Sequence, residues 1–510
     1  MKKPVKYLWL ALGGIAALLA AGILVFALTF DPNRYKDDIQ RMAMERTGRT
    51  LRLQGELKLV FFPSLGAGVG GVTLSERGSQ REFISLQSAR ASVKLMPLLR
   101  GQVIVDTVRL SGFRAQLVKN KDGSYNFSDL LEGKAEKPGS KRKEQSAPVS
   151  FDIAGVDIDR AAVAYRDTST GQEISLSDLQ LHTGRIAGNA QGKIEFADLD
   201  FTARLDESSI KGKLAMARTA QPSYRFDLDI DRINLDHYLA AGENKPDAAV
   251  DLSGLKGLNA QGQLQIGALQ VQGLKLSRLK AQLKAAGGRA EISPHSASLY
   301  GGELSGALSL DGNANRIALK ETLSNVSIGP LLRDLAHQDR LEGKGNVALE
   351  LAAAGATAGA MKRSLSGAAK VRLRDGAIKG IDIAGLLRKA RAAAGKQSGQ
   401  AADSRERTDF AELSASFSIK NGVAHNEDLD VKSPLLRIGG SGDIDIGRSA
   451  ISYVVKASVV GTTSLTVPVK LAGPLDAMKY EVDYRAVAGD LVKSKVGDKV
   501  RDRLKGLLGR

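Results

Sequence analysis

The segment LRLQGELKLVF, Leu51 to Phe61, alternates between apolar and polar residues. Leu51, Leu53, Leu57, Leu59 and Phe61 share one side, with Gly55 in a slot on that side, while Arg52, Gln54, Glu56 and Lys58 hold the other. Strand side chains point to opposite faces in turn, so a period of two means one buried face and one wet face, the pattern of an antiparallel sheet. The pattern returns along the chain. Ala91, Val93 and Leu95 alternate with Ser92 and Lys94; Phe226, Leu228 and Ile230 alternate with Asp227, Asp229 and Asp231; Ile451, Tyr453, Val455, Ala457 and Val459 share a face. Gly is abundant at 55 residues and Pro scarce at 13, which suits many strands joined by turns. Asp122-Gly123 is a hairpin signal, and Asp311-Gly312 and Asp375-Gly376 are similar. One strand per 11 to 14 residues gives roughly 30–40 strands, and sheets beyond about ten strands curl or split. The predicted class is mainly β. A curled sheet keeps an open apolar inner face; a closed sandwich would fill that face with side chains.

Upstream of the alternation, Asp31 and Pro32 read as N-cap and first residue of a helix through Tyr35, Ile39, Met42 and Ala43, stopped by Gly48. Before it stands YLWLALGGIAALLAAGILVFALTF, Tyr7 to Phe30, without a charge. As a helix this run reaches roughly 36 Å, enough to cross a hydrocarbon core of about 30 Å. Tyr7, Trp9, Leu10, Ile15, Leu18, Leu19, Ile23, Leu24, Phe26 and Phe30 are its predicted anchoring residues. Lys2, Lys3 and Lys6 hold the N-terminus in the cytoplasm under the positive-inside rule. The run outlasts a cleavable signal's apolar region of about 7–15 residues, so an uncleaved anchor is expected, with the rest of the chain exported.

Downstream, 134–148 is charged, contains two prolines and reads as a linker or loop; 391–407 reads as another loop. INLDHYLA (233–240), VSIGPLLRDLA (326–336) and IDIAGLLRKA (381–390) each read as a strand end followed by a helical turn, caps on repeated β units. At the C-terminus, Val492, Val496, Val500, Leu504 and Leu508 recur at helical spacing beside Lys493, Lys495, Lys499, Arg501, Arg503 and Lys505. Such a basic amphipathic tail suits either an anionic membrane surface or a cap over the sheet end.

The chain shows no catalytic constellation. It has no cysteine, hence no disulfide, thiolate metal site or thiol nucleophile. Gly66, Gly68 and Gly71 spell G-x-G-x-x-G, but strand-like sequence follows where a dinucleotide site needs a helix, so a turn or bulge is expected. His182, His237, His295, His337 and His425 are scattered without metal-ligand spacing. The reading is a non-enzyme with no catalytic residue, metal or cofactor. The net charge of +17 and pI near 9.7 do not indicate nucleic acid in an exported chain lacking a nucleic-acid motif; they suit solubility and anionic lipid.

Several stretches together resemble the AsmA family of bacterial inner-membrane-anchored periplasmic proteins. They are FDPNRYKDDIQRMAMERTGRTLRLQGELKLVFFPSLGAGVGGVTLS (30–75), ARASVKLMPLLRGQVIVDTVRLSG (89–112), AEISPHSASLYGGELSGALSLDG (290–312), TDFAELSASFSIKNGVAHNEDLDVKSPLLRIGGSGDIDIG (408–447) and VPVKLAGPLDAMKYEVDY (467–484). The resemblance implies a single pass through the bacterial inner membrane, a periplasmic body, and a long curled antiparallel sheet, gutter-like, with short capping helices. It divides the chain into a cytoplasmic tail (1–6), a transmembrane helix (7–30), an N-terminal AsmA-like domain (31–133), the linker (134–148), a middle β-rich region (149–345), a C-terminal AsmA-like domain (346–490) and the tail (491–510). It implies binding or conduction of lipid, phospholipid or lipopolysaccharide-related, between inner and outer membrane in support of outer-membrane assembly and homeostasis. The alternative is a scaffold for outer-membrane protein assembly, with outer-membrane or other envelope proteins as partners. Exposing a lipid tail to water costs about 0.8 kcal/mol per CH₂, so an apolar track would lower that barrier without any chemistry. Candidate lining residues are Leu57, Leu59, Phe61, Val93, Leu95, Phe226, Leu228, Ile230, Tyr453 and Val455.

Overall fold

Asp31 caps the first turn as its sequence predicts. Its carboxylate accepts the Asn33 N–H at 2.9 Å, Pro32 opens a 3-10 turn (Pro32–Tyr35), and helix Lys36–Thr47 follows. Gly48 ends the helix at φ +69°, its N–H reaching the Met44 carbonyl at 2.8 Å; a left-handed residue there favours glycine. The structure, a computed structural model, describes residues 31–60, 64–94, 104–131, 151–188, 194–196, 198–217, 223–238, 249–385, 400–401, 406–434, 436–460 and 466–483. The expected span at 7–30, the linker at 134–148, the tail at 491–510, and Phe61 and Leu95 lie outside the described residues. Among the described residues no helix is long and apolar enough to cross a membrane.

The chain divides into two compact units, Met1–Ile230 and Asp231–Arg510. The first carries β1 (Leu51–Leu53), β2 (Lys58–Val60), β3 (Ser64–Ser75), β4 (Glu82–Lys94), β5 (Val105–Ser111), β6 (Arg114–Lys119), β7 (Phe151–Asp167), β8 (Glu173–Thr183), β9 (Ile186–Gly188), β10 (Ile194–Phe196), β11 (Asp198–Leu205), β12 (Ser208–Ala217) and most of β13 (Ser223–Asn234). Both β1 and β2 pair with β3, and the ladder continues through β4, then β5 and β6 end to end, then β7, β8, β11, β12 and β13. The alternation predicted antiparallel pairing, and all these pairs are antiparallel except two: β5 and β6 both run parallel to β7, from Val105 beside Ile153 to Lys119 beside Asp167. Alternation fixes which side chains share a face, not strand direction; parallel neighbours need a long connection. Residues 120–150 supply it, including the predicted Asp122-Gly123 turn and the short helix Ser128–Leu131.

The glycine motif is a bulge, as expected. The β3 strand runs through it, Gly71 sits at φ +57°, and the Gly70 and Gly71 carbonyls accept the N–H groups of Gly55 and Gln54 at 2.8 Å each. Arg49, wholly buried, locks the segment after the helix. Its guanidinium donates to the Asp129 carboxylate at 2.5 and 3.1 Å, to the Ser75 carbonyl at 3.1 Å and to the Asn126 carbonyl at 2.8 Å, and lies over the Phe83 ring.

The second unit continues with β14 (Ala260–Val271), β15 (Leu274–Ala286), β16 (Arg289–Leu299), β17 (Gly302–Asp311), β18 (Arg316–Ser327), β19 (Leu341–Ala354), β20 (Ser366–Lys379), β21 (Gln400–Ala401), β22 (Arg407–Lys420), β23 (Val423–Lys432), β24 (Leu436–Asp445), β25 (Ala450–Val459), β26 (Thr466–Pro474) and β27 (Lys479–Val482). From β14 each strand pairs antiparallel with the next, β20 pairing β22 while β21 lies against β27. Asp311-Gly312 turns between β17 and β18 as predicted. Asp375-Gly376 does not turn: β20 runs through it, with Asp375 at φ +50° in a register shift against β19. The extra residue is absorbed as a bulge because pairing continues on both sides.

The helical caps take short forms. They are the 3-10 turn Leu235–His237, helix Ile328–Ala336 and a helical turn at 383–385; residues 239–240 and 386–390 lie outside the described residues. All three gather at one end of this unit's sheet. The Asp236 carboxylate accepts the N–H groups of Gln272 and Gly273 in the β14–β15 turn. Tyr300 donates to Asp334 at 2.8 Å, and the Lys379 N–H donates to the Arg340 carbonyl at 2.8 Å.

Candidate functional site

The two faces of the first unit separate completely by chemistry along one row of strand neighbours. From β3 to β13 the apolar row reads Val69, Ala89, Leu110, Ile158, Leu181, Phe201, Gly212 and Leu228, each opposite the next. The adjacent polar row reads Lys58, Gly68, Arg90, Arg109, Asp157, His182, Asp200, Lys213 and Asp227. Arg90 faces Arg109, but from Arg109 onward charges along the row alternate in sign: Arg109 Nε lies 3.4 Å and His182 Nδ1 2.5 Å from the Asp157 carboxylate. Those bonds, His182 first, hold the Asp157 carboxyl below its ordinary pKa against the opposing effect of partial burial. Opposite charges across strands favour this register over a one-residue slip, which would turn every apolar side chain to water.

The apolar row is held half open. Its large side chains, Val69, Leu110, Ile158, Leu181, Phe201 and Leu228, are all only partly buried. A second row, Leu51, Leu74, Ile84, Ala115, Val163, Leu176 and Leu205, extends the same face; Ala115 is buried and the others are partly buried. Gly212 lets the face close on itself: a Cβ there would meet the Phe201 ring at 2.3 Å and Leu228 Cδ2 at 2.9 Å. Full burial of a Leu, Ile or Phe is worth roughly 1.5–3 kcal/mol, so a partly exposed face leaves a fraction of that unrealised.

The second unit differs. Both clusters of buried apolar side chains found among the described residues lie in it. In the larger one Leu373, Val431, Ile438, Ala457, Val467 and Val469 are sealed from solvent.

Of the predicted lining residues, Leu59, Val93, Phe226, Leu228 and Ile230 share the half-open face of the first unit. Leu57 is partly buried between β1 and β2. Tyr453 and Val455, each 7% exposed, are members of the packed cluster of the second unit. Phe201, Leu181, Ile158 and Leu110 were missed. Short alternating runs such as Leu199, Phe201 and Ala203 carried the signal, but only the register joins them to Leu228.

His295 and Glu321 were missed in another way. They occupy the apolar row Leu264, Ala281, His295, Gly306, Glu321 and Leu349 of the second unit. The ring Nε2 lies 3.0 Å from the carboxylate, across Gly306, and Nδ1 lies 3.1 Å from the Ile292 carbonyl. Burial pushes the Glu321 carboxyl above its ordinary pKa, and His295 opposes the shift. The signal was Glu321 in the apolar slot of Ile317, Leu319 and Leu323. No cluster of three metal-ligating side chains occurs among the described residues.

The chain is similar to Protein AsmA of Escherichia coli strain K12, 21% identical over 96% of this chain and 95% of that one. Among solved structures, a triple mutant and a double mutant of Rhodopseudomonas blastica porin align over 63% of this chain and 86% of theirs at 10% identity, with TM-scores of 0.12 and 0.13. Superpositions that poor support no shared fold. The sequence model of the AsmA family matches residues 1–224 and 240–429, and the chain belongs to that family.

Proposed function

We propose that this protein is an envelope protein that binds lipid, phospholipid or lipopolysaccharide-related, along the apolar face of its first unit and so supports outer-membrane assembly. Family membership supports the envelope role. The observation that carries the lipid reading is the partly exposed row from Val69 to Leu228, in contrast to the sealed cluster around Leu373 and Val431 in the second unit. Acyl chains laid along such a row would bury what the fold leaves wet, while headgroups stay with the charged side chains. The protein acts by binding, without bond-making chemistry, from an anchor at 7–30 with its body in the periplasm.

The test places a photo-crosslinking residue at Phe201 or Leu228 in the full chain, in cells. Crosslinks to lipid are expected at both. Capture of outer-membrane proteins alone at these positions would support the assembly-scaffold reading instead, and capture of neighbouring protein alone would end the lipid reading.

A further inference from the structure

The helix after the apolar N-terminal run leaves an apolar flank uncovered by the sheet. Its inward side carries Gln40, Ala43 and Thr47, all partly buried. One flank carries Tyr35, just before the helix, with Ile39 and Met42, exposed by 51%, 41% and 51%, at spacings of four and three that place them on one stripe; the exposed Asp38, Arg41 and Glu45 occupy the side opposite Gln40, and Met44, 45% exposed, lies on the other flank. The orientation has a cause. The β1 and β2 strands pair with β3 on one side only. Gln40 Oε1 accepts the Leu53 N–H at 3.0 Å and Asn33 Oδ1 accepts the Leu57 N–H at 2.8 Å, so polar helix side chains satisfy the free strand edge.

We infer that helix Lys36–Thr47 lies flat on the membrane, with Ile39, Met42 and Tyr35 sunk into the boundary between headgroups and acyl chains. The occupant is argued from chain connectivity. Asp31 caps the helix and directly follows Phe30, the last residue of the apolar run read as the membrane span. One residue advances the chain by only about 3.8 Å, so the helix starts where the span meets the surface. A 12-residue helix is about 18 Å long, and the stripe, with Tyr35 just before it, runs along its first two turns. A helix in that position can bury an apolar flank in the interface. The placement rests on the span reading. It deepens the proposed function by setting the sheet edge it covers beside the outer leaflet.

The chain has no cysteine, so single-cysteine variants report cleanly. Ile39→Cys and Met42→Cys test the stripe. Asp37→Cys and Met44→Cys, on the opposite flank, serve as controls. Each full-length variant is labelled with an environment-sensitive fluorophore and reconstituted into phosphatidylethanolamine–phosphatidylglycerol vesicles containing brominated lipid. Labels at 39 and 42 are expected to shift to the blue and to be quenched by the brominated lipid at least about threefold more than labels at 37 and 44, as for side chains below the headgroups. Equal quenching at all four positions, in protein that floats with the vesicles, overturns the placement and leaves the span intact. Failure of all four variants to float overturns the span, and the placement with it.

Discussion

The Leu53 N–H donates to Gln40 Oε1 at 3.0 Å, and that one bond ties the orientation of the first helix to the edge of the sheet. Without an acceptor the edge would be a template for another strand. Because the acceptor is on the helix, the helix turns Gln40 inward and leaves the stripe of Tyr35, Ile39 and Met42 on an exposed flank.

Gln40→Met removes the acceptor and leaves the Leu53 amide partly buried and unpaired. The expected cost is about 1 kcal/mol, with increased self-association through the opened edge. Urea unfolding of the solubilised chain, with light scattering, measures both; unchanged midpoint and scattering would show that the helix holds by other contacts.

Arg49→Met should be far more damaging. It strands Asp129 and leaves the Ser75 and Asn126 carbonyls without their donor. The expected loss is about 3–5 kcal/mol. The Arg49 guanidinium is the chief cause holding the Asp129 carboxyl below its ordinary pKa. Its stabilising contribution is therefore complete above the unfolded value, about 3.9, and disappears as pH falls through the folded value. In the variant that acid-sensitive contribution should vanish, so parent and variant stabilities should converge at low pH.

Equal truncations should cost different amounts in the two units. Leu373→Ala empties a sealed position and should cost about 2–5 kcal/mol. Leu228→Ala removes a partly exposed side chain and should cost roughly 1–2 kcal/mol, while lowering the lipid that co-purifies by native mass spectrometry. Equal costs with unchanged lipid would show that the first unit's face is ordinary core.

The pair His295 and Glu321 invites a double-mutant cycle. His295→Leu should cost about 1–3 kcal/mol by leaving a buried carboxyl unpaired, and the His295→Leu/Glu321→Leu pair should recover most of it. The Glu321 carboxyl is raised, so its ionisation opposes folding, and stability falls as pH rises through its folded pKa. That decline should steepen in His295→Leu and be absent in the double variant. Independent, additive losses would show that the two side chains do not act together.

Alternation alone reported the strand class and the partition of faces. Phe226, Leu228 and Ile230 could be assigned to one side, and Asp227 and Asp229 to the other, because side-chain period is a local property of an extended backbone. Caps were equally local: Asp31, Pro32 and Gly48 act within a few residues of themselves. The glycine motif read correctly for the same reason, since a missing helix after Gly71 is visible in the next few residues.

Strand partners were not local. Nothing near Arg109 specifies Asp157, and nothing near Phe201 specifies Leu228; register and the parallel β5–β7 contact decide them. Asp375-Gly376 carries the same two letters as a turn, yet neighbours on both sides keep β20 extended through it. Burial was a further step removed. Tyr453 and Leu228 look alike in sequence, each an apolar member of an alternating run, but one is packed in a closed cluster and the other lies on a half-open face. The sequence by itself determined that the chain folds into strands with one apolar face, because that follows from single-residue periodicity. Only the tertiary structure decided which part of that face is sealed and which way the first helix turns, because both depend on partners distant in the chain.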